Sequence, residues 1–134
     1  MLPTLESIDH VHVYVKDRAK AAQWYRDYLG FEVHPTYEFW AEDIAGPLTI
    51  ADASDAIHIA LFQRQDFTPA STIAFRVNGE NFLAWKAQLE KSGLLLRCSD
   101  HAVSWSLYFQ DPDENSHEIT TYDYALVAKE LSKE

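Results

Sequence analysis

Apolar and polar residues alternate at the start of the chain. Residues 8–15 read IDHVHVYV, in which valines at every second position are separated by histidine and tyrosine. This two-residue period predicts a strand with one buried apolar face. Asp17 then fits a helix N-cap, residues 18–29 carry apolar side chains at helical spacing, and Gly30 suits the helix end. Extended patterns follow at residues 31–33, 48–50 and 56–62. The first half therefore predicts the order βαβββ.

The second half of the chain repeats this order. Residues 72–77 alternate as a strand, and Asn78 precedes a helical pattern at residues 80–91. Three further strands are predicted at residues 94–98, 103–110 and 116–122. Residues 63–70, QRQDFTPA, have no periodicity and read as the linker between the halves.

The repeated order predicts an α+β protein built from two sequence-divergent modules. We place the first βαβββ module at residues 8–62 and the second at residues 72–122. A chain of 134 residues matches one domain, 1–134, so we expect the modules to share a core, with a helical or flexible tail at residues 123–134. Side chains on alternate strand positions would line the concave face, where a small ligand fits.

Charge and composition exclude several classes of partner. Eleven basic residues against 21 acidic ones give a net charge of −10, which disfavours nucleic acid and anionic membrane surfaces. No window approaches the 18 apolar residues of a membrane span. Cys98 is the single cysteine and cannot form an internal disulfide, so we expect a soluble protein of the reducing cytoplasm.

Strand parity selects the candidate functional side chains. His10, His12 and Tyr14 share one face of the first strand, and a row of polar aromatic groups favours a cavity. Arg76 has the parity of Thr72, and a guanidinium buried there would need an anionic partner, either Glu118 or a ligand carboxylate.

Other positions are less informative. His117 has the parity opposite to Glu118, so we expect it on an outer or interface surface. We expect His34 and His101 to be exposed. The sequence leaves open whether Trp105, Leu107 and Phe109 or the alternate row faces the ligand, and whether the aromatic residues 37–40 form a lid or an interface.

Three segments carry a resemblance to a known family. They are IDHVHVYVKD at residues 8–17, YRDYLGFEV at residues 25–33 and YFQDPDENSHEI at residues 108–119. Together they resemble the vicinal oxygen chelate superfamily, which contains glyoxalase I, extradiol dioxygenases, fosfomycin-resistance enzymes and metal-free bleomycin-binding proteins. The resemblance implies two modules forming a cupped, barrel-like mixed sheet with helices outside, and it favours a homodimer.

The resemblance also implies a divalent metal site. Family enzymes take ligands from the first and last strands of each module, and the matching residues here are His10 and Glu118. Imidazole and carboxylate together suit Fe, Mn, Zn or Ni. Two positions depart from the pattern, because Thr72 stands where histidine is usual and Ala60 where glyoxalases carry a carboxylate. His58 shares the face of Ala60 and is a third candidate ligand if the strand register differs from the alignment.

Two functions follow from this set of residues. The first is a metal-dependent dioxygenase or glyoxalase-like lyase or isomerase acting on a small molecule with vicinal oxygens. In that enzyme Glu118 would also accept a proton, and Arg76, Tyr14 and Thr72 would contact the substrate. The second is a metal-free protein that binds a drug or metabolite, which the departures at Thr72 and Ala60 favour.

Overall fold

The first half of the chain folds as a four-stranded mixed sheet with a helix on one face. The computed structural model describes residues 1–134. Its first four strands are β1 (Val11–Val15), β2 (Glu32–Val33), β3 (Pro47–Ala51) and β4 (His58–Gln63), in the spatial order β1-β4-β3-β2. Only β1 and β4 run parallel. Helix α1 (Arg18–Leu29) packs on this sheet, and a 3₁₀ helix (Pro35–Glu42) joins β2 to β3.

The second half has the same plan and one additional helix. It contains β5 (Ile73–Arg76), α2 (Gly79–Lys91), β6 (Arg97–Asp100), β7 (Trp105–Gln110), β8 (Ser116–Thr121) and α3 (Tyr124–Leu131). Its sheet has the order β5-β8-β7-β6, with β5 and β8 parallel. The predicted α+β class with two βαβββ units is confirmed.

Each half has its own hydrophobic core. The chain divides into two compact units, Met1–Pro69 and Ala70–Glu134. The largest fully buried apolar side chains of the first unit are Val13, Val15, Tyr25, Ile50, Ile59 and Leu61. Those of the second are Phe82, Leu89, Leu107, Phe109 and Val127.

Both principal helices begin and end at the residues that the sequence indicates. Asp17 accepts a hydrogen bond from the backbone N–H of Lys20 at 3.0 Å, and Asn78 accepts one from Asn81 at 2.8 Å. Gly30 takes a left-handed conformation with φ 77°, which leaves the last turn of α1 without the strain that a Cβ atom would add.

The three largest departures from the predicted elements are in β1, in β6 and between β2 and β3. Strand β1 begins at Val11 rather than Ile8. Strand β6 begins at Arg97 rather than Leu94, because the N–H groups of Leu94 and Leu95 bond to the carbonyl of Leu89 and continue the end of α2. The third difference is the 3₁₀ helix at Pro35–Glu42, which no two-residue or 3.6-residue apolar period predicted.

The C-terminal tail is helical and docked. The backbone N–H of Gly79 donates to Asp123 Oδ2 at 2.6 Å, at the N-cap of α3. Beyond α3, Glu134 pairs with Lys86 of α2 at 3.2 Å. No helix has the length and apolar character needed to cross a membrane.

Candidate functional site

The first sheet has one apolar face under α1 and one face with mixed chemistry. Val13 and Val15 are fully buried, whereas His12 and Tyr14 are exposed, as strand alternation requires. The strand register places Ala60 beside His12, Phe62 beside Tyr14, and Thr49 beside Ala60. Residues 12, 14, 49, 60 and 62 therefore form a single surface, which we call the open face of the first sheet.

His10 belongs to this surface although it precedes β1. Its Nδ1 lies 2.7 Å from Asp9 Oδ2, and its Nε2 lies 3.1 Å from His12 Nε2. The two imidazole rings are stacked at 5.0 Å with an interplanar angle of 21°. An ionised carboxylate can only accept, so Asp9 assigns the proton of a neutral His10 ring to Nδ1 and leaves a lone pair on Nε2.

A small cavity opens beside these histidines. Its volume is about 110 Å³, and it is lined by Asp9, His10, Tyr37, Trp40, Pro47, Thr49, His58, Ala60 and Phe62. Tyr37 and Trp40 of the 3₁₀ helix stack on each other at 4.8 Å and form one wall. The Thr49 hydroxyl is buried and has no hydrogen-bond partner within the protein. A buried polar atom at a cavity wall is a ready contact for a ligand.

A larger cavity of about 290 Å³ lies between α1 and β2. Its lining is Ala19, Ala22, Gln23, Arg26, Phe31, Glu32, Val33, Glu38 and Leu48. It contains no histidine and none of the predicted site residues. We therefore assign the candidate site by its chemistry to the smaller cavity.

His58 reaches the smaller cavity but is engaged by a carboxylate. Its Nε2 lies 2.6 Å from Asp55 Oδ1, which also lies 3.1 Å from His34 Nε2. Asp55 lies in a turn with φ 62°, and the hydrogen bond from His58 lowers the pKa of its carboxyl. The ligand atoms of His34, Asp55 and His58 all lie within 4.8 Å of one another, a spacing that a metal ion could occupy.

Hydrogen bonding explains this second cluster without a metal. His34 is the N-cap of the 3₁₀ helix, where its Nδ1 accepts from the Thr36 N–H at 3.2 Å. A neutral His34 ring then carries its proton on Nε2 and donates it to Asp55. If a metal ion bound His34 Nε2, the ring proton would have to move to Nδ1. Nδ1 could then no longer accept the hydrogen bond from the Thr36 N–H that caps the helix. The expectation that His34 is exposed was wrong, because its side chain is only 17% exposed.

The second sheet likewise has a polar face, which contains Glu118. Glu118 is paired with Ala74 on one side and Tyr108 on the other. Ser106 donates to Glu118 Oε2 at 2.6 Å and so fixes the orientation of the carboxylate. The structure thus decides which row of β7 accompanies Glu118: it is Ser106 and Tyr108, whereas Leu107 is fully buried on the other face.

The remaining predicted residues have different surroundings. Arg76 is exposed and its guanidinium lies 4.9 Å from the centre of the Tyr122 ring, so Glu118 is not the partner that the sequence suggested. Thr72 is exposed just before β5. Tyr14 lies under the Arg64 guanidinium at 5.6 Å. Burial raises the pKa of the Cys98 thiol, which disfavours a thiolate nucleophile at this position.

His117 is buried rather than on an outer surface. It does face away from Glu118, but it is fully enclosed between the rings of Phe75 and Phe109 at 5.8 and 5.4 Å. Burial lowers its pKa to about 4, so the ring is neutral near pH 7. The feature of the sequence that indicates this depth is the shared parity of His117 with Ile119, which is buried on the same face.

The donor types of both sheets suit a divalent metal. In the first sheet, His10 offers an Nε2 lone pair that Asp9 orients, which is the usual arrangement around a metal-bound histidine. In the second, Glu118 offers a carboxylate held by Ser106. His10 and His58 reach one cavity of the first unit, and Thr72, Arg76 and Glu118 lie in the second unit.

Comparison with known proteins gives concordant matches. The chain is 28% identical over 126 residues to the protein named glutathione transferase FosA of Serratia marcescens, covering 93% of this chain and 86% of that protein. A glyoxalase family protein from Bacillus anthracis superposes with a TM-score of 0.74 at 26% identity, over 91% of this chain and 99% of that one.

A third match shows the fold alone. The fosfomycin resistance protein FosX of Listeria monocytogenes, solved with Mn(II) and 1S,2S-dihydroxypropylphosphonic acid, superposes with a TM-score of 0.73 at 15% identity, over 94% and 99% of the two chains. The family model described as Glyoxalase/Bleomycin resistance protein/Dioxygenase superfamily matches residues 7–119. The chain belongs to that superfamily.

Proposed function

We propose that this protein is a divalent-metal-dependent enzyme acting on a small molecule with neighbouring oxygen atoms. His10 and Glu118 are its protein ligands in this proposal, and His58 is a further candidate. The observation that carries the proposal is the hydrogen bond between Asp9 and His10, which presents an imidazole lone pair on an exposed surface beside a cavity. A surface histidine needs no such carboxylate for folding.

The metal would supply Lewis acidity, by holding substrate oxygens and stabilising negative charge that develops on them. The chain's own residues then bind and orient the substrate. The Thr49 hydroxyl, buried without a protein partner, can donate to a substrate oxygen in the cavity. Tyr37 and Trp40 offer a flat aromatic wall for an apolar part.

Glu118 has a second proposed role as proton acceptor. Ser106 occupies Oε2 at 2.6 Å, which holds the carboxylate plane fixed for transfer through its other oxygen. Arg76, Tyr14 and Thr72 remain proposed substrate contacts. Arg76 suits an anionic substrate group, because its guanidinium rests on the Tyr122 ring and not on a carboxylate.

The comparisons support an enzyme of transferase or lyase type over a structural role. The FosA relative is named a glutathione transferase, and a lactoylglutathione lyase from Agrobacterium tumefaciens shares the fold at a TM-score of 0.70 and 18% identity. We therefore place small oxygenated molecules first among the substrates to be tested, with and without a thiol co-substrate.

The proposal is tested by metal analysis and turnover of untagged protein. Apo protein is reconstituted with Mn²⁺, Zn²⁺, Ni²⁺ or Fe²⁺ and assayed with an epoxide phosphonate plus glutathione, a glutathione hemithioacetal and a catechol. We expect one ion per chain and turnover of one substrate class, both abolished in His10→Ala and Glu118→Ala. An intact, metal-free wild type that turns over none of them contradicts the proposal.

A metal-free binding protein is the second candidate. The absence of the usual donors at Thr72 and Ala60 favours it, together with the aromatic wall of Tyr37 and Trp40. In that case the chelated protein would bind an aromatic ligand with unchanged affinity, and His10→Ala would not alter binding. Calorimetry of chelated and metal-loaded protein distinguishes the two candidates.

A further inference from the structure

The closest pair of imidazole nitrogens on the open face of the first sheet belongs to His10 and His12. Their Nε2 atoms lie 3.1 Å apart, on rings stacked at 5.0 Å. The arrangement follows from the strand, since side chains two positions apart emerge on the same side. Both rings are solvent accessible, so an ion can reach the two nitrogens without any core movement.

This separation equals that of two adjacent ligands on one metal ion. With metal–nitrogen bonds of about 2.0 to 2.1 Å, two nitrogens in cis positions lie about 3.0 Å apart at a right angle and about 3.4 Å apart at a tetrahedral angle. The observed 3.1 Å falls between these values. Asp9 already places the ring proton of a neutral His10 on Nδ1, which leaves the Nε2 lone pair available.

We propose that His12 is a metal ligand alongside His10, so that consecutive outward positions of the opening strand hold one ion. This inference rests on the proposed metal dependence and extends it. The chain has Thr72 where the family pattern carries a histidine, and His12 supplies a second imidazole from a different position. Two imidazoles direct the site toward Zn²⁺, Co²⁺, Ni²⁺ or Cu²⁺ rather than Mg²⁺ or Ca²⁺.

The neighbouring ring favours a defined orientation of His12. The His12 ring packs against Phe62 at 4.6 Å, which limits its rotation away from His10.

A rival explanation of the short distance between the two Nε2 atoms is a simple hydrogen bond between a protonated Nε2 of one ring and the lone pair of the other. A second rival places the ion at His34, Asp55 and His58.

Titration of the full-length apo protein with Co²⁺ separates these explanations. Visible absorption reports nitrogen ligation, and competition with a chelator gives the dissociation constant. The variants are His12→Ala, His12→Gln, His10→Ala and Glu118→Ala, with His34→Ala as the matched control from the same unit. His12→Gln keeps a hydrogen-bonding group near His10 but is a poor ligand. Circular dichroism confirms that each variant is folded.

We expect both His12 substitutions to weaken Co²⁺ binding by more than the roughly 10- to 100-fold that loss of an outer-sphere partner costs, and to change the absorption spectrum. His34→Ala should leave both unchanged. Binding that needs His10 and Glu118 but survives in His12→Gln overturns the inference and leaves the proposed function intact. Binding lost in the His10 and His12 variants but retained in Glu118→Ala supports the inference and overturns the ligand set of the proposed function. Loss in His34→Ala alone places the ion in the other cluster and overturns the inference.

Discussion

Two histidines in this chain show how surroundings decide the role of one residue type. His10 is partly exposed and its ring is ordered by the Asp9 carboxylate, so it can present a lone pair to a metal or ligand. His117 is enclosed by Phe75 and Phe109, so burial keeps it uncharged. The His10 ring is available to bind a metal or ligand, whereas the His117 ring contributes to core packing.

The buried His117 predicts a specific loss of stability in acid. Its pKa is about 4 in the folded chain and 6.5 when exposed, so the unfolded chain binds the proton first as the pH falls. The free energy of unfolding should therefore decrease by about 3 kcal/mol from this group between about pH 6.5 and pH 4. Urea unfolding of wild type and His117→Leu across this range measures the difference. Parallel stability curves for the two proteins would contradict it.

We expect the Asp9 side chain to affect the affinity for the metal but not the thermal stability of the fold. This side chain is 87% exposed and its carboxylate pairs with the His10 ring, so Asp9→Ala should leave thermal unfolding of the chelated protein unchanged. Metal affinity should fall by about 10- to 100-fold, because the His10 tautomer is no longer fixed. Unchanged affinity in calorimetry would show that the carboxylate does not orient a ligand.

At the scale of elements, one arginine connects α1 to the end of the 3₁₀ helix and to the segment that follows it. The Arg18 guanidinium donates to the carbonyls of Ala41, Asp43 and Gly46, with distances of 3.0 Å to Asp43 and 2.7 Å to Gly46. The planar group satisfies several carbonyls together, which an ammonium group cannot do in the same geometry. The 3₁₀ helix that carries Tyr37 and Trp40 is thereby held in place.

Removal of this arginine should loosen the aromatic wall. We expect Arg18→Met to lower the free energy of unfolding by about 2 to 4 kcal/mol, since several hydrogen bonds from a charged donor are lost. Amide exchange should accelerate over residues 36–46 before the rest of the first unit. Arg18→Lys should give an intermediate loss. Exchange that accelerates uniformly, or not at all, would argue against this local role.

Gly46 provides an independent test of the same segment. A Cβ atom at this position would lie 2.3 Å from the carbonyl oxygen of Trp40, closer than any real contact. Gly46→Ala should therefore shift the backbone after the 3₁₀ helix and weaken ligand binding in the smaller cavity, which Tyr37 and Trp40 line. Gly30→Ala is the control, because it is strained by its φ of 77° but meets no atom within 4 Å. Equal ligand affinity in both variants would contradict the expected difference.

The elements were predictable wherever a period of two or 3.6 residues was clear. The outward row of His12 and Tyr14 followed from alternation in the opening strand, and the end of α1 at Gly30 followed from glycine chemistry. The 3₁₀ helix was not predictable, because eight residues with a three-residue turn give no sustained apolar face. Its signal in the sequence was Pro35 at the first helical position, directly after a capping residue.

The candidate site was less predictable than the elements. The resemblance to the superfamily supplied His10 and Glu118, and strand parity with Ala60 added His58, but the hydrogen-bond partners of these residues depend on turns and on neighbouring strands. Asp55 reaches His34 and His58 through a turn residue at positive φ, and Ser106 reaches Glu118 across the register of β7 and β8. These pairings depend on tertiary contacts, and local patterns in a single sequence do not reveal such contacts.

At the scale of the whole molecule, the chain combines strong negative charge with several exposed apolar groups. The net charge is −10. The exposed large apolar residues include Leu2, Leu5, Ile8, Phe39, Trp40, Ile44, Leu96, Val103, Tyr122 and Leu126. Charge keeps such a protein from associating at random, and the exposed apolar side chains are residues that a dimer interface would cover.

We therefore predict a homodimer. Light scattering at micromolar concentration should give about twice the chain mass of 15.4 kDa. Substituting Leu5 and Ile8 together by serine should shift the equilibrium toward monomer if these exposed residues lie in the interface. A wild-type mass equal to one chain at that concentration would exclude the dimer.

The central claim concerns His10 and Glu118 as ligands of a common metal ion. A crystal structure of the metal-loaded protein, with anomalous scattering recorded at the absorption edge of the metal, tests it most directly. The account predicts one ion at about 2.0 to 2.2 Å from His10 Nε2 and from a Glu118 carboxylate oxygen. An ion bound by other residues, or a loaded crystal in which neither side chain contacts the ion, would contradict it.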